Sequence, residues 1–193
     1  MRSRRSIRNY QPKGVPRDKI LQLLDTARMA PTACNSQGVA YHIVDKQDTL
    51  LQISAAVIEW TESELKSSPA MASAKYAPHL SMMVEQYRQK GEDVVLRSAP
   101  CLVVAVTDKH SFGTGRDNTY ISFAYLQLFT TSLGLGTCWG GLFEYCAAAG
   151  YEPLLTLLKL PKNMQVTSGM MVGYPQYTYQ RLVARNPLQV TWQ

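Results

Sequence analysis

The chain has 193 residues and a mass of 21.6 kDa, enough for one domain. Hydrophobic residues make up 46% and charged residues 18%, a balance that excludes disorder, and no apolar run approaches the ~18 residues of a membrane span. Twenty Lys and Arg against fourteen Asp and Glu give a net charge of +6, and Cys34, Cys101, Cys138 and Cys146 form no C-x-x-C pair, which excludes a zinc ribbon, a ferredoxin cluster motif and a dense disulfide scaffold and fits a reducing cytoplasm.

The opening MRSRRSIRNY is basic, but no apolar stretch follows it, so no secretory signal is expected. Arg2, Arg4, Arg5 and Arg8 crowd the start, and Arg181 and Arg185 lie near the end. Such a balance suits an anionic partner: nucleic acid, an acidic surface or a phosphorylated ligand. A solubilising terminus is the plain alternative.

Ile20, Leu23, Leu24, Ala27 and Ala30 recur at helical spacing and predict a helix over 16–30, with Pro16 in its first turn and Pro31 ending it. A polar loop, 32–38, leads to a short strand at 41–45. A second helix is predicted over 47–60. The stretch 62–93 holds Pro69, Pro78 and Gly91 and reads as a broken helical segment. Residues 99–108, APCLVVAVTD, form a continuous apolar run and predict a strand buried on both faces. A loop over 108–117 precedes a helix over 118–133 that is apolar nearly all round and therefore reads as buried. Residues 134–143, GLGTCWGGLF, predict a tight glycine-rich bend that something approaches closely. A helix near 152–160, a strand at 165–174 and an extended tail over 175–193 complete the chain. Helices mixed with strands that no hairpins connect indicate an α+β or α/β sandwich, one sheet covered by helices. The apolar helix and the tail are hard to bury in a lone subunit, which suggests an obligate dimer.

His42, His79 and His110 have no partner at metal-ligand spacing, so no metal site is expected. Neither a G-x-S-x-G elbow nor a P-loop occurs. Gly134 and Gly136 lack the third glycine of a dinucleotide fingerprint and follow a helix, so a Rossmann reading fails. The aromatic residues sit mostly in apolar segments rather than among Lys and Arg, which disfavours nucleic acid. What remains is clustered arginine, an Asn/Gln/Ser loop and a glycine-rich stretch. That set suits a cofactor bringing its own reactivity, with the protein supplying charge, orientation and backbone donors.

Three blocks, RRSIRNY (4–10), LLDTARMAPTACNSQ (23–37) and GLGTCWGG (134–141), together resemble the nitroreductase family of FMN-dependent oxidoreductases and occur in that family's order. The resemblance covers most of the chain from residue 4 and is weak over 60–93. It implies an α+β fold with a central, mostly antiparallel sheet flanked by helices in an intertwined homodimer. It also implies a single flavin domain over 1–193, with 60–93 as a mobile helical cover and 175–193 as an extended tail. FMN would sit at the subunit interface. Arg4 and Arg5 would pair with its phosphate through forked, charge-assisted bonds, Ser6 would add a hydroxyl, and Arg8 would reach the ribityl and pyrimidine side. Pro31, Thr32 and Ala33, from the other subunit, would line the ring, and Asn35 and Gln37 would bond the ribityl or pyrimidine edge. For these two, plain turn chemistry is the alternative. Trp139 would pack near the ring, a backbone N–H of Gly140 or Gly141 would point at flavin N5, and Cys138, a packing residue by its neighbours, falls in the same stretch. A helix cap at Gly134 or Gly136 is the plain alternative there. Arg181 or Arg185 would add a phosphate contact from the tail.

The implied activity is ping-pong hydride or electron transfer at flavin N5. NAD(P)H would be the donor, and a nitroaromatic, a quinone or a similar small molecule the acceptor. No catalytic side chain is required. The segment 121–141 looks most like the subgroup that carries an N-terminal ferredoxin-type domain, which would make a ferredoxin-type cluster the donor. The alternative is a flavin-binding protein of low turnover: a carrier, a sensor or a partner subunit. The protein is expected in the cytoplasm, without a membrane or nucleic-acid partner.

Overall fold

Residues 2–110 and 115–193 are described by a computed structural model of the chain. At its centre is an antiparallel sheet of four strands, β1 (Ala40–Val44), β2 (Cys101–Asp108), β3 (Gly136–Trp139) and β4 (Met164–Gly173), in the order β1-β2-β4-β3. The apolar run of β2 places it second, with both faces covered. Leu102, Val104 and Val106 point to one side, and Cys101, Val103 and Ala105 to the other, as the two-residue strand period demands. The first face packs against α2 (Gln47–Ser67), α4 (Ala77–Lys90), α6 (Gly141–Ala148) and α7 (Glu152–Leu158). The second packs against α1 (Arg17–Ala27) and α5 (Gly115–Thr130). The predicted α+β architecture, an antiparallel sheet flanked by helices, is the one observed.

The register of β2 on β4 shifts between Ala105 and Val106, leaving Thr167 without an opposite residue. Its hydroxyl donates to the Ala105 carbonyl (3.1 Å), so the Thr119 hydroxyl must donate to Thr167 across 2.7 Å. This ties α5 to the bulge.

Several predicted boundaries move for physical reasons. The second helix runs on to Ser67, where Glu62 and Lys66 pair one turn apart at 2.7 Å and Leu65 still packs inward. Pro69 and Pro78 do not interrupt helices but open them, in α3 (Pro69–Ala72) and α4. The predicted loop over 108–117 loses its end to α5, which starts at Gly115, and residues 111–114 of that loop lie outside the described residues. The predicted bend at 134–143 is a correction. Only Gly134 takes a left-handed conformation (φ 69°), capping the 3-10 turn that follows α5, and the next residues form strand β3. Gly136 is needed for contact rather than bending, because a Cβ there would overlap Ile7 and reach Pro175 at 3.0 Å. The helix predicted as buried all round also differs: Ile121, Tyr125 and Leu128 are 40%, 41% and 39% exposed, a stripe down one side of α5.

The loop before β2 is built on one carboxylate. Asp93 Oδ1 accepts from the Ser54 hydroxyl (2.8 Å) and from the N–H of Val95 (3.2 Å) and Leu96 (2.9 Å). Its Oδ2 accepts from the Ser98 N–H (2.9 Å). These bonds hold Arg97 and Ser98 at φ 58° and 53°, a region that side chains other than glycine and asparagine resist. Replacing Asp93 with alanine strips four acceptor contacts from a strained loop and is expected to cost about 2–4 kcal/mol, measured by urea unfolding.

Burial pushes the Cys101 and Cys146 thiols up to about 12 and raises Cys138 and Tyr10 as well. Cys34 alone is exposed, so under native conditions a thiol reagent should modify one cysteine per chain, and four after unfolding. The folded groups keep protons that the unfolded chain releases above pH ~8.5, so stability should fall as pH rises. Denaturant midpoints at pH 8 and pH 10 check the sign.

Candidate functional site

The two ends of the chain meet. A cavity of about 430 Å³ is lined by Arg2, Arg4, Leu182, Val183 and Arg185. Among the described residues, none of these three arginines pairs with a carboxylate. Arg4 Nη1 donates to Gln127 Oε1 at 3.4 Å, and Gln127 Nε2 donates to Thr137 Oγ1 at 3.3 Å. Thr137 of β3 is bridged by Ser6, and its carbonyl accepts from the Ile7 N–H at 2.9 Å. The N-terminal segment therefore lies along the open edge of β3, and that backbone bridge brings Ser6 beside the Arg4 side of the sheet.

Arg5 has other partners. Its guanidinium donates to the Arg181 carbonyl and lies 4.8 Å from the centre of the Tyr179 ring. Of the two tail arginines, Arg185 lines the cavity with Arg4, and Arg181 offers its backbone to Arg5. Arg8 is exposed and sits within electrostatic reach of Tyr10 and Cys138.

The bend after α1 is a second polar centre. Cys34, Asn35 and Gln37 all have positive φ (52°, 51° and 47°). The Ala33 N–H donates to Asn118 Oδ1 (3.0 Å), the Gln37 N–H donates to Thr32 Oγ1 (3.0 Å), and Gln37 Nε2 donates to Asn35 Oδ1 (3.1 Å). Turn chemistry thus accounts for part of what Asn35 and Gln37 do, while Pro31, Asn35 and Gln37 remain exposed and Thr32 and Ala33 half-buried. A cavity of about 270 Å³ opens beside Thr32, Gln37, Tyr41 and Ser122. The Tyr41 and Ser122 hydroxyls share a 2.5 Å bond within it. Asn118 and Gln127 anchor the two centres nine residues apart on α5, about 13 Å along its axis.

The third block runs from β3 into α6. Trp139 packs edge-on to Tyr120 (centroids 5.3 Å apart) and Phe123 (5.5 Å) on the α5 side. Cys138 points to the other face, inside the core. The two glycines separate cleanly. The Gly140 N–H is taken by the Gly169 carbonyl at 2.8 Å, and a Cβ at Gly140 would press on that oxygen at 3.3 Å. Gly141 opens α6, is exposed, and has open space where a side chain would sit. Its N–H belongs to the first helical turn and has no intrahelical acceptor, so Gly141, not Gly140, is the amide free to meet a ligand.

A polar network holds this corner. The largely buried Glu144 accepts from the Arg116 guanidinium, from the Tyr120 hydroxyl (2.5 Å) and from the Ser168 hydroxyl (2.6 Å). These bonds raise the Arg116 pKa further and fix Tyr120 against Trp139. Arg2, Asn118, Gln127, Glu144 and the Tyr41–Ser122 pair were not legible as site residues in the sequence. Only Arg2 carried a signal there, as part of the terminal charge cluster.

The arrangement fits an elongated ligand with an anionic end. Three guanidinium groups with no carboxylate partner among the described residues suit a phosphate, and the Trp139–Gly141 segment offers an aromatic wall and a free amide.

The sequence profile described as Nitroreductase family matches residues 1–174. No curated protein matches significantly. Among solved structures, this chain resembles a nitroreductase with bound FMN from Bacteroides fragilis, with a TM-score of 0.74 at 20% identity, over 97% of this chain and 94% of that one. A nitroreductase with bound FMN from Desulfitobacterium hafniense gives 0.73 at 19%, over 98% and 95%. Iodotyrosine deiodinase bound to FMN and 3-iodo-L-tyrosine gives 0.72 at 19%, over 99% and 95%. With the profile match spanning all four strands and every helix described, the chain belongs to the nitroreductase family.

Proposed function

We propose that the protein is an FMN-dependent oxidoreductase working as a homodimer, with NAD(P)H as donor and a nitroaromatic, quinone or similar small molecule as acceptor. The observation that carries the reading is the meeting of Arg2, Arg4 and Arg185 around one cavity with no carboxylate to neutralise them among the described residues. Bound FMN supplies the redox chemistry, taking reducing equivalents from a donor and passing them to an acceptor. The chain supplies charge and position. Arg4 and Arg185 hold the phosphate, and Gln127 braces Arg4. The Ser6 hydroxyl adds a donor, and Arg8 faces the ribityl and pyrimidine side. The N–H of the exposed Gly141 would meet the reactive edge of the ring, and Trp139 would wall it.

The Asn35/Gln37 bend completes the site from a second copy of the chain. Within one chain it contacts α5 about 13 Å from the Arg4 anchor. The unpartnered stripe Ile121, Tyr125 and Leu128 and the tail residues Leu188 and Trp192, 90% and 89% exposed, are the surface such a dimer would bury.

The purified protein should be yellow or take up added FMN, and anaerobic NADH or NADPH should bleach it within seconds. A colourless protein that refuses FMN contradicts the reading. A flavin that binds but stays oxidised with both nucleotides points to low turnover or to a ferredoxin-type donor.

Arg4→Ala should weaken FMN binding by ~1.5–3 kcal/mol through loss of a charge-assisted phosphate bond. Arg5→Ala should mainly free the tail, read as faster proteolysis between residues 176 and 185. Equal FMN affinity in Arg4→Ala and the parent protein would remove Arg4 from the phosphate site.

A further inference from the structure

The contacts between α5 and β3 set an order along the site. Gln127, which braces Arg4, bonds Thr137, while Tyr120 and Phe123 pack on Trp139. The path from Thr137 through Trp139 to Gly141 therefore runs back along α5, from Gln127 toward its first turn. Tyr120 lies seven residues before Gln127, about 10 Å along the helix axis, and Arg116 eleven residues before it, about 16 Å. The arginine cavity marks one end of this path. Arg116 stands toward the other, past Trp139.

Arg116 is joined to the Trp139–Gly141 stretch by contacts on two sides. Its Nε donates to the Tyr120 hydroxyl at 2.7 Å, its guanidinium lies 5.5 Å from the centre of the Tyr120 ring, and that ring meets Trp139 edge-on. Its Nη2 donates to Glu144 Oε1. Glu144 belongs to the first turn of α6, the turn Gly141 opens, and its N–H donates to the Gly140 carbonyl at 2.9 Å.

These bonds fix the guanidinium without using it up. Two of its five N–H groups have acceptors, and the other three have none among the described residues. The Arg116 side chain is 53% exposed, against 12% for Glu144. Glu144 answers three donors, from Arg116, Tyr120 and Ser168. The carboxylate is thus sunk into the protein, while the guanidinium keeps an open side toward solvent. A planar fork held in one orientation, with free donors, suits a carboxylate better than a mobile lysine would.

We infer that Arg116 is a specificity-determining residue of the acceptor pocket, taking the carboxylate of an aromatic acid whose ring lies against the flavin. The inference rests on the FMN reading and deepens it: among nitroaromatics and quinones, it selects those with an acidic group at the end remote from the reducible one.

The test is anaerobic single-turnover reoxidation of the FMN-loaded protein. One equivalent of dithionite reduces the flavin, so no nucleotide donor takes part. The reduced protein is mixed with para-nitrobenzoate, or with para-nitrobenzamide, a neutral molecule of nearly the same shape. The two differ in ease of reduction, so the half-saturating concentration is read rather than the limiting rate. The parent should saturate with the acid at a concentration about tenfold lower than with the amide, as a charge-assisted pair requires. Arg116→Gln should bring the two within about twofold. Arg116→Lys, which keeps a charge opposite Glu144 but loses the fork, should retain part of the preference. A parent that treats acid and amide alike overturns the inference, and so does a preference that survives Arg116→Gln. A rise in both half-saturating concentrations by the same factor in Arg116→Gln also overturns it, because that reduces Arg116 to a brace for Tyr120 and Trp139. In each of these cases a flavin that binds and is reoxidised leaves the FMN reading standing. A parent protein that binds no FMN overturns both.

Discussion

Positive charge, brought from both ends of the chain to one cavity with no carboxylate partner among the described residues, is the constraint around which the rest is arranged. Arg2 and Arg4 arrive from the N-terminal segment, and Arg185 from a tail without secondary structure. Neither segment would hold its place alone. The first is fastened to the edge of β3 through Ser6 and Ile7, and the second to the first through Arg5. The edge strand β3 is open because β4 covers only one of its sides. The fold thus leaves one strand edge unpaired and uses it to dock the segment that carries the charge.

The same edge supplies the rest of the site. β3 passes through Trp139 into the two glycines, and each glycine has a separate reason. Gly140 is small because β4 lies against it, and its amide is consumed in holding that contact. Gly141 begins a helix, so its amide is free by geometry rather than by chance. The Glu144 network then locks α6 to α5 and β4, so that the wall and the amide move as one unit. Positional catalysis needs this kind of rigidity, since a cofactor that brings its own chemistry gains only from fixed charge and orientation.

Much of this was legible in the sequence, and the exceptions share a cause. The strand at 101–108 and the helix beginning at residue 47 announced themselves by period and apolarity. The terminal arginines announced an anionic partner by their number and crowding, and only the family resemblance made that partner a phosphate. The stretch 134–143 misled because glycine serves both bends and close contacts, and only the neighbours Ile7, Pro175 and Gly169 show which need applies. Arg5 and Arg4 are indistinguishable side by side, yet alternation along an edge sends one to the cavity and the other to the tail. Asn118, Gln127 and Glu144 lie within helices whose apolar pattern hides them, and no local signal marks a polar residue whose side chain bonds partners 10 to 123 residues away.

Comparison of FMN with riboflavin, which has the same ring and no phosphate, isolates the arginine cavity most directly. Fluorescence titration of apoprotein at moderate salt should show riboflavin binding at least about a hundredfold more weakly, since two charge-assisted contacts are lost. Equal affinities for the two flavins would mean that the meeting of the chain ends has nothing to do with the cofactor.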